Sequence, residues 1–446
     1  MMFSQQWPHV EALLRAIRAR LPTVPIFLGG EHPTATWSYL LAHCPEVTVC
    51  VLGEGEESAA ELAACIAAKR PLEGIPGVAY RQGGVPVRPP PRARIRAMAA
   101  IPRPAWHLFP LESYLEGGFA HGVGQGRSIP MLATRGCPYR CTFCSSPAMW
   151  TTRYETRPPA EVVDEIEDYI AAYRIDNVDF EDLTAIVKRG WILDFCAELE
   201  RRKIRITYQL PSGTRSEALD EEVLSALHRT GCRNITYAPE SGSPRTLAAI
   251  KKKVVPERVL ASMRAAKAVG MNLKCNLIIG FPDETRRDVW QTLLFGLRAA
   301  WAGVDDLPLF PFSPYPGTEL YEDLRRKGAI PEPSNEYFAG LGYMDISATA
   351  TVCEHIGPRE LNLYRVVGMS AFYAAGYVRR PWRLLRTARN LVAERSDTVL
   401  EQRLVEMLQR RRAARPTPAP PPVVAAKEPV AHPKRRRSLP VLESVS

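Results

Sequence analysis

Short apolar runs alternate along the chain with longer stretches of helical period. Near the front, Val10, Leu13, Leu14, Ile17 and Leu21 recur at helical spacing and predict an amphipathic helix. Two short runs follow, 25-PIFLGG-30 and 47-VTVCVLGEG-55, each ending in glycines and each reading as a buried strand. A helix over 57–69 comes after the second. After a polar, Pro-rich connection that includes 86-PVRPPPRARI-95, a longer series starts near Ser128. Its strand candidates are 128–134, 177–182, 205–210, 234–240, 273–281 and 307–313. Helical patterns lie between them, such as 159-PAEVVDEIEDYIAAY-173, where Pro159 suits a first turn and Val162, Val163, Ile166, Tyr169 and Ile170 share a face. Repeated strand–helix alternation predicts α/β architecture: a partial (β/α)6 TIM-type barrel with its ligand site at the carboxyl ends of the strands.

The pattern from Arg359 to Arg412 is helical. Beyond it, 416-PTPAPPPVVAAKEPVAHP-433 has no hydrophobic period and predicts a disordered tail. The chain therefore divides into a partial front domain (1–85), a linker (86–125), the barrel (126–325), a helical C-terminal region (326–412) and a Pro-rich basic tail (413–446).

Composition narrows the class. Of 446 residues, 46% are hydrophobic and 24% charged, which suits a globular protein of two or three domains. No apolar run approaches the roughly 18 residues of a spanning helix. The N-terminus MMFSQQWPHV lacks the basic flank and apolar stretch of a secretory signal, so a reducing cytoplasmic setting is expected and the ten cysteines read as thiols or metal ligands. The net charge is +10, but nine Lys or Arg against two Glu between Arg410 and Ser446 supply most of it. With the body near balance and no small β-barrel RNA module after the sixth strand, nucleic acid is disfavoured as a partner.

Directly after the first barrel strand comes 135-RGCPYRCTFCSS-146, which holds Cys137, Cys141 and Cys144 within eight residues. That spacing wraps three thiolates around one face of a loop and suits three corners of a 4Fe-4S cubane, leaving the fourth iron open. A zinc knot would want a fourth Cys or His close by, and the nearest histidine in sequence, His121, precedes the strand. The other seven cysteines lie among apolar neighbours and read as core residues.

At these residues the sequence resembles the radical S-adenosylmethionine superfamily, with Phe143 as the aromatic before the last cysteine. The resemblance implies that S-adenosylmethionine chelates the open iron and is cleaved to a 5′-deoxyadenosyl radical. Further strings match in family order. 180-FEDLT-184 resembles the acidic motif that receives the methionine amino group, through Glu181 or Asp182. 239-PESGS-243 resembles the segment that contacts ribose and carboxylate, through Glu240 and Ser241. 278-IIGFPDET-285 resembles the motif that backs the adenine, with Ile278 in apolar contact and Gly280 allowing close backbone approach.

The front strings 29-GGEHPT-34 and 53-GEGEES-58 resemble the cobalamin-binding domain of one subgroup, which includes cobalamin-dependent radical methyltransferases and the oxygen-independent magnesium-protoporphyrin monomethyl ester cyclase. Gly29, Gly30, His32, Gly53, Glu54 and Gly55 are the implied cobalamin contacts, although tight βα turns account for the glycines equally well. The segment reads as the rear part of an incomplete Rossmann-like domain whose earlier strands would precede residue 1.

The expected function is methyl transfer to an unactivated carbon of a small molecule, with 4Fe-4S, S-adenosylmethionine and cobalamin as cofactors and a flavodoxin- or ferredoxin-like reductant as partner. Alternatives are an oxidative cyclase or rearrangement enzyme of a tetrapyrrole-like substrate, an RNA-modifying relative, and a non-catalytic electron-transfer subunit.

Overall fold

Four strands form a front sheet in chain order: β1 (Phe27–Gly29), β2 (Val49–Val51), β3 (Val78–Gln82) and β4 (Val85–Val87). β1 and β2 are parallel, and β3 and β4 add as an antiparallel hairpin. Gly83 and Gly84 make its two-residue turn, both at positive φ (57° and 83°), the conformation such a turn needs. The boundary expected at 85/86 falls inside β4, so the front unit runs on to Val87. The signal for this turn in the sequence is the Gly-Gly pair between two short strands. The first helix, Trp7–Arg20, buries Leu14 and half-buries Val10 and Ile17. Leu13 and Leu21 are exposed, against the expectation: Leu13 flanks the stripe and Leu21 lies past the last turn.

The computed structural model describes residues 3–119, 121–124, 126–184, 187–342 and 351–413. The expected disordered tail lies, from 414 on, outside the described residues. Met1–Val405 form one compact unit and Glu406–Ser446 a second.

The long series contains β5 (Ser128–Met131), β6 (Thr134–Arg135), β7 (Glu155–Thr156), β8 (Asn177–Phe180), β9 (Thr207–Thr214), β10 (Cys232–Glu240), β11 (Asn272–Ile279) and β12 (Leu309–Pro311). Six of them form one parallel sheet in the order β5-β8-β9-β10-β11-β12, each beside its predecessor. Helices connect them, including Pro159–Tyr173, which buries Val162, Val163, Ile166 and Tyr169 as the pattern predicts. The partial (β/α)6 barrel is therefore the observed fold. β6 and β7 pair antiparallel and bracket the cysteine loop.

Alternation sorts the residues of β11. Leu273, Cys275, Leu277 and Ile279 are buried in the main core, each worth roughly 1.5–3 kcal/mol for the large apolar side chains, while Lys274, Asn276 and Ile278 take the opposite, lumenal face. The C-terminal region holds the helices Pro358–Arg379, Trp382–Val392 and Val399–Ala413. The first of these covers the edge strand β12, where buried Arg365 donates to the Leu309 carbonyl at 3.2 Å.

Candidate active site at the carboxyl ends of the barrel strands

The cysteine loop leaves β6 at Gly136, whose φ of +83° and closeness to the Arg153 carbonyl admit no side chain. Two backbone bonds pin it across the barrel mouth: Thr142 N–H donates to the Ile250 carbonyl at 3.1 Å, and Leu320 N–H donates to the Thr142 carbonyl at 3.0 Å. Phe143 lies in an apolar cluster with Ile278, Phe281 and Phe312, its ring centroid 5.8 Å from that of Phe281. Cys137, Cys141 and Cys144 are free, half-buried thiols. Burial pushes the Cys144 thiol up to about 12 and raises Cys141, which Lys252 and Arg215 draw back toward the thiolate.

Among the described residues, no group of three His, Cys, Asp or Glu side chains closes around one metal ion. A cubane differs because each thiolate takes its own iron, so the sulfurs stand further apart than single-ion ligands. The donor set fits such a cluster: three soft thiols on one loop, flanked by the buried hydroxyls of Thr142 and Ser146, whose side-chain oxygens have no partner among the described residues. Iron must then offset the burial that holds the Cys141 and Cys144 thiols protonated.

The two carboxylates after β8 part company. Asp182 is 1% exposed and accepts from Ala133 N–H (3.2 Å) and from both the backbone and hydroxyl of Thr134, while burial pushes its carboxyl up to about 6. It holds the β5–β6 turn and has no spare face for an ammonium. Glu181 is half-buried beside the lumen and accepts from His121 Nδ1 at 2.6 Å, a bond that raises the imidazole's pKa. His121 escaped sequence reasoning because it precedes the strand and belongs to no motif.

At the end of β10, Glu240 takes a left-handed backbone (φ 69°), is buried, and pairs with Lys252 at 3.0 Å. Arg215 stacks its guanidinium 3.6 Å from the Tyr139 ring centre, in the cysteine loop itself. Ser241 is fully buried and its hydroxyl is shared with Thr292 at 2.8 Å and with Ser243 N–H at 3.1 Å, so it braces the turn. Gly280 has a second reason to be glycine: its φ is +85° and a Cβ there would lie 2.7 Å from Leu361 Cδ2, so it makes room for the C-terminal helix.

The front turns meet this mouth. Thr34 Oγ1 accepts from Gly53 N–H at 3.0 Å, and Ser145, next to Cys144, donates to Glu31 at 3.0 Å. A Cβ at Gly53 would stand 3.5 Å from the Met149 carbonyl, in the helix Ser146–Trp150 that follows the cysteines. At Gly29 and Gly55 it would reach only Val51, at 3.8 and 3.4 Å, so these turns stay open to a bulky ligand; Gly30 has φ +106°. The other two candidates are engaged elsewhere. His32 is buried between Trp7 and Phe338, contacts Ser4 Oγ at 2.9 Å, and is lowered by burial to about 4, so it is a neutral core residue and not a strand-end contact. Glu54 accepts from Ile95 N–H (2.8 Å), Arg94 (3.2 Å) and Arg135 (3.3 Å), tying the front unit to the barrel.

The Radical SAM superfamily description matches residues 131–296, which spans the cysteine loop and β5 to β11, and the B12 binding domain description matches residues 1–63. The chain thus carries a radical SAM region behind a B12-binding region. An uncharacterized methyltransferase of Pyrococcus horikoshii is 31% identical over 67% of this chain and 62% of its own. The anaerobic magnesium-protoporphyrin IX monomethyl ester cyclase of Cereibacter sphaeroides is 26% identical over 71% and 51%. The cytidylyl-2-hydroxyethylphosphonate methyltransferase of Streptomyces wedmorensis is 27% identical over 75% and 67%. The chain thus spans between half and two thirds of the length of these relatives. Among solved structures, the radical S-adenosylmethionine methyltransferase TsrM of Kitasatospora setae superposes with a TM-score of 0.61 at 24% identity, over 73% of this chain and 62% of that one. The cobalamin-dependent S-adenosylmethionine radical enzyme OxsB superposes with 0.66 at 15%, over 93% and 66%. At such identities the likeness is one of fold.

Proposed function

We propose that this chain is a cobalamin-type radical S-adenosylmethionine methyltransferase acting on an unactivated carbon of a small molecule. The observation that carries the reading is the juxtaposition of three free thiols, pinned over the barrel mouth, with the glycine turns of the front unit. The methyltransferase relatives in Pyrococcus horikoshii and Streptomyces wedmorensis support it.

Cys137, Cys141 and Cys144 are the residues to hold a 4Fe-4S cluster, and Gly29, Gly30, Gly53 and Gly55 those to hold cobalamin. When bound, these groups with S-adenosylmethionine supply a carbon-centred radical and a methyl donor. The protein's part is positioning. Glu181 offers the carboxylate for the methionine ammonium, a charge-assisted bond that Asp182 has no free face to make. Phe143 and Ile278 give one continuous apolar wall for the nucleoside, and Glu240 with Lys252 fixes the rim below Cys141. Lys274, Asn276 and the His121–Glu181 pair make the lumen polar, which suits a substrate with several hydrogen-bonding groups. A flavodoxin- or ferredoxin-like protein in a reducing cytoplasm is the reductant this chemistry calls for.

Reconstituted anaerobically, the chain is expected to bind about four irons and to release 5′-deoxyadenosine from S-adenosylmethionine with a reductant. Cys141→Ala should lose the iron and its absorbance while keeping the wild-type circular dichroism. Cleavage undiminished in that variant would overturn the assignment, and iron binding without cleavage would favour an electron-transfer role.

A further inference from the structure

The helix Trp382–Val392 is turned inside out. Four of its five polar side chains, all but Arg389, face the protein. Arg383, 5% exposed, donates to the Asp305 carbonyl at 2.9 Å; Thr387 and Asn390 donate to Glu401 at 2.7 and 2.9 Å; and Arg386 lies 3.4 Å from Asp305. Its large apolar side chains, Leu391 excepted, face solvent: Trp382, Leu384, Leu385 (75% exposed) and Val392 (87%). Val378, at the end of the preceding helix, and Trp301 are exposed as well, with the Arg379 guanidinium over the Trp301 ring at 5.7 Å.

A helix on a globular surface ordinarily buries its apolar stripe. Here folding forgoes that gain and spends buried charge pairs to hold the helix with its apolar side outward, an arrangement that favours the chain only when something apolar covers the face. The rim identifies the cover. Arg379, Arg389 and Arg395 are exposed around the patch, and Glu394 is the one acidic residue between Tyr377 and Ser396. In sequence, the positive charge continues with nine Lys or Arg against two Glu from Arg410 to Ser446. A second copy of this chain would bring like charges together across the interface, whereas phosphate headgroups neutralise them.

We propose that this face docks on an anionic lipid bilayer, with Trp382, Leu385 and Val392 in the acyl boundary and the arginines among the headgroups. No described helix is long and apolar enough to cross a membrane, so the contact is one of lying on the surface.

The test is co-sedimentation of the full chain with vesicles of phosphatidylcholine containing about one-third phosphatidylglycerol, against phosphatidylcholine alone. Binding should require the anionic lipid and weaken in high salt. The double variant Trp382→Glu/Leu385→Glu should bind about tenfold more weakly or worse, and Leu384→Glu/Val392→Glu should repeat the result. All four positions are exposed, and unchanged circular dichroism and melting temperature would certify the fold. Absence of wild-type binding to the anionic vesicles overturns the proposal. So does binding that these variants leave unchanged, which would assign the attraction to the basic tail. So does a wild-type dimer in light scattering that either variant dissociates, which would make the face an interface between copies.

Discussion

Glu240 and Lys252 form an ion pair, 3.0 Å from Oε1 to Nζ, with both side chains about nine-tenths withdrawn from water. Burial pushes the Glu240 carboxyl up and the lysine pulls it back. The pair joins the end of β10 to the segment whose Ile250 carbonyl anchors the cysteine loop. Lys252→Met takes the ion-pair partner from a buried carboxylate, leaving only the more distant pull of Arg215, and should cost about 3–5 kcal/mol in urea unfolding. The double variant Lys252→Met/Glu240→Gln should recover most of that stability and still cleave S-adenosylmethionine poorly, which separates the structural part of the pair from its part at the rim. A double variant no more stable than the single one would contradict the pairing argument.

Glu181 and Asp182 are adjacent, and one sequence motif offers both for the same task. The structure predicts opposite phenotypes. Asp182→Asn turns an acceptor of three hydrogen bonds into a partial one and should destabilise the chain by about 2–3 kcal/mol, with activity falling in step with folding. Glu181→Gln should leave the melting temperature within a degree or two of wild type, since the amide oxygen still accepts from His121, yet raise the KM for S-adenosylmethionine several-fold by removing the charge. A Glu181→Gln protein of wild-type KM would move the ammonium site elsewhere.

Much of this was legible beforehand, for stated physical reasons. The six parallel strands announced themselves because each is an apolar run bounded by turn residues, and the cysteine loop because three thiols within eight residues have few other uses. Ion pairing across the fold was hidden. Nothing in the string 251-KKK-253 says that Lys252 turns inward while Lys251 pairs with Glu319 at the surface. His32 looked like a ligand because it follows two glycines, yet Trp7 and Phe338, from opposite ends of the front unit's contacts, enclose it. Glu54 is likewise committed elsewhere: its arginine partners lie 40 and 81 positions away, beyond any local pattern.

Gly280 tests a tertiary cause for a motif residue. Alanine there meets two costs, a left-handed backbone and contact with Leu361, and should destabilise by about 2–3 kcal/mol. Leu361→Ala alone opens a cavity and should cost a similar amount. The two changes together should cost clearly less than their sum, because the smaller side chain at 361 relieves the clash. Strict additivity in a double-mutant cycle would leave backbone conformation as the whole reason for glycine.

The pH dependence of stability follows from Glu284. This carboxyl is buried next to the turn after β11, accepts from Gly280 N–H at 2.6 Å and Phe281 N–H at 3.3 Å, and is pushed up by burial to about 7. Its folded value lies above its unfolded value of 4.5. Between those limits the folded chain holds a proton that the unfolded chain has released, so stability must fall as pH rises, by up to about 1.4 kcal/mol per pH unit. His32, lowered to about 4 by burial, acts in the opposite sense between that value and 6.5, because the unfolded imidazole takes a proton that the folded one refuses. The comparison that isolates the carboxyl is therefore wild type against Glu284→Gln, a neutral isostere at every pH. Their difference in unfolding free energy should shift in favour of the glutamine variant as pH climbs from 4.5 to 7 and level off above 7. A difference that stays constant across that range would mean Glu284 is ionised in the folded protein, held so by the two backbone donors despite its burial.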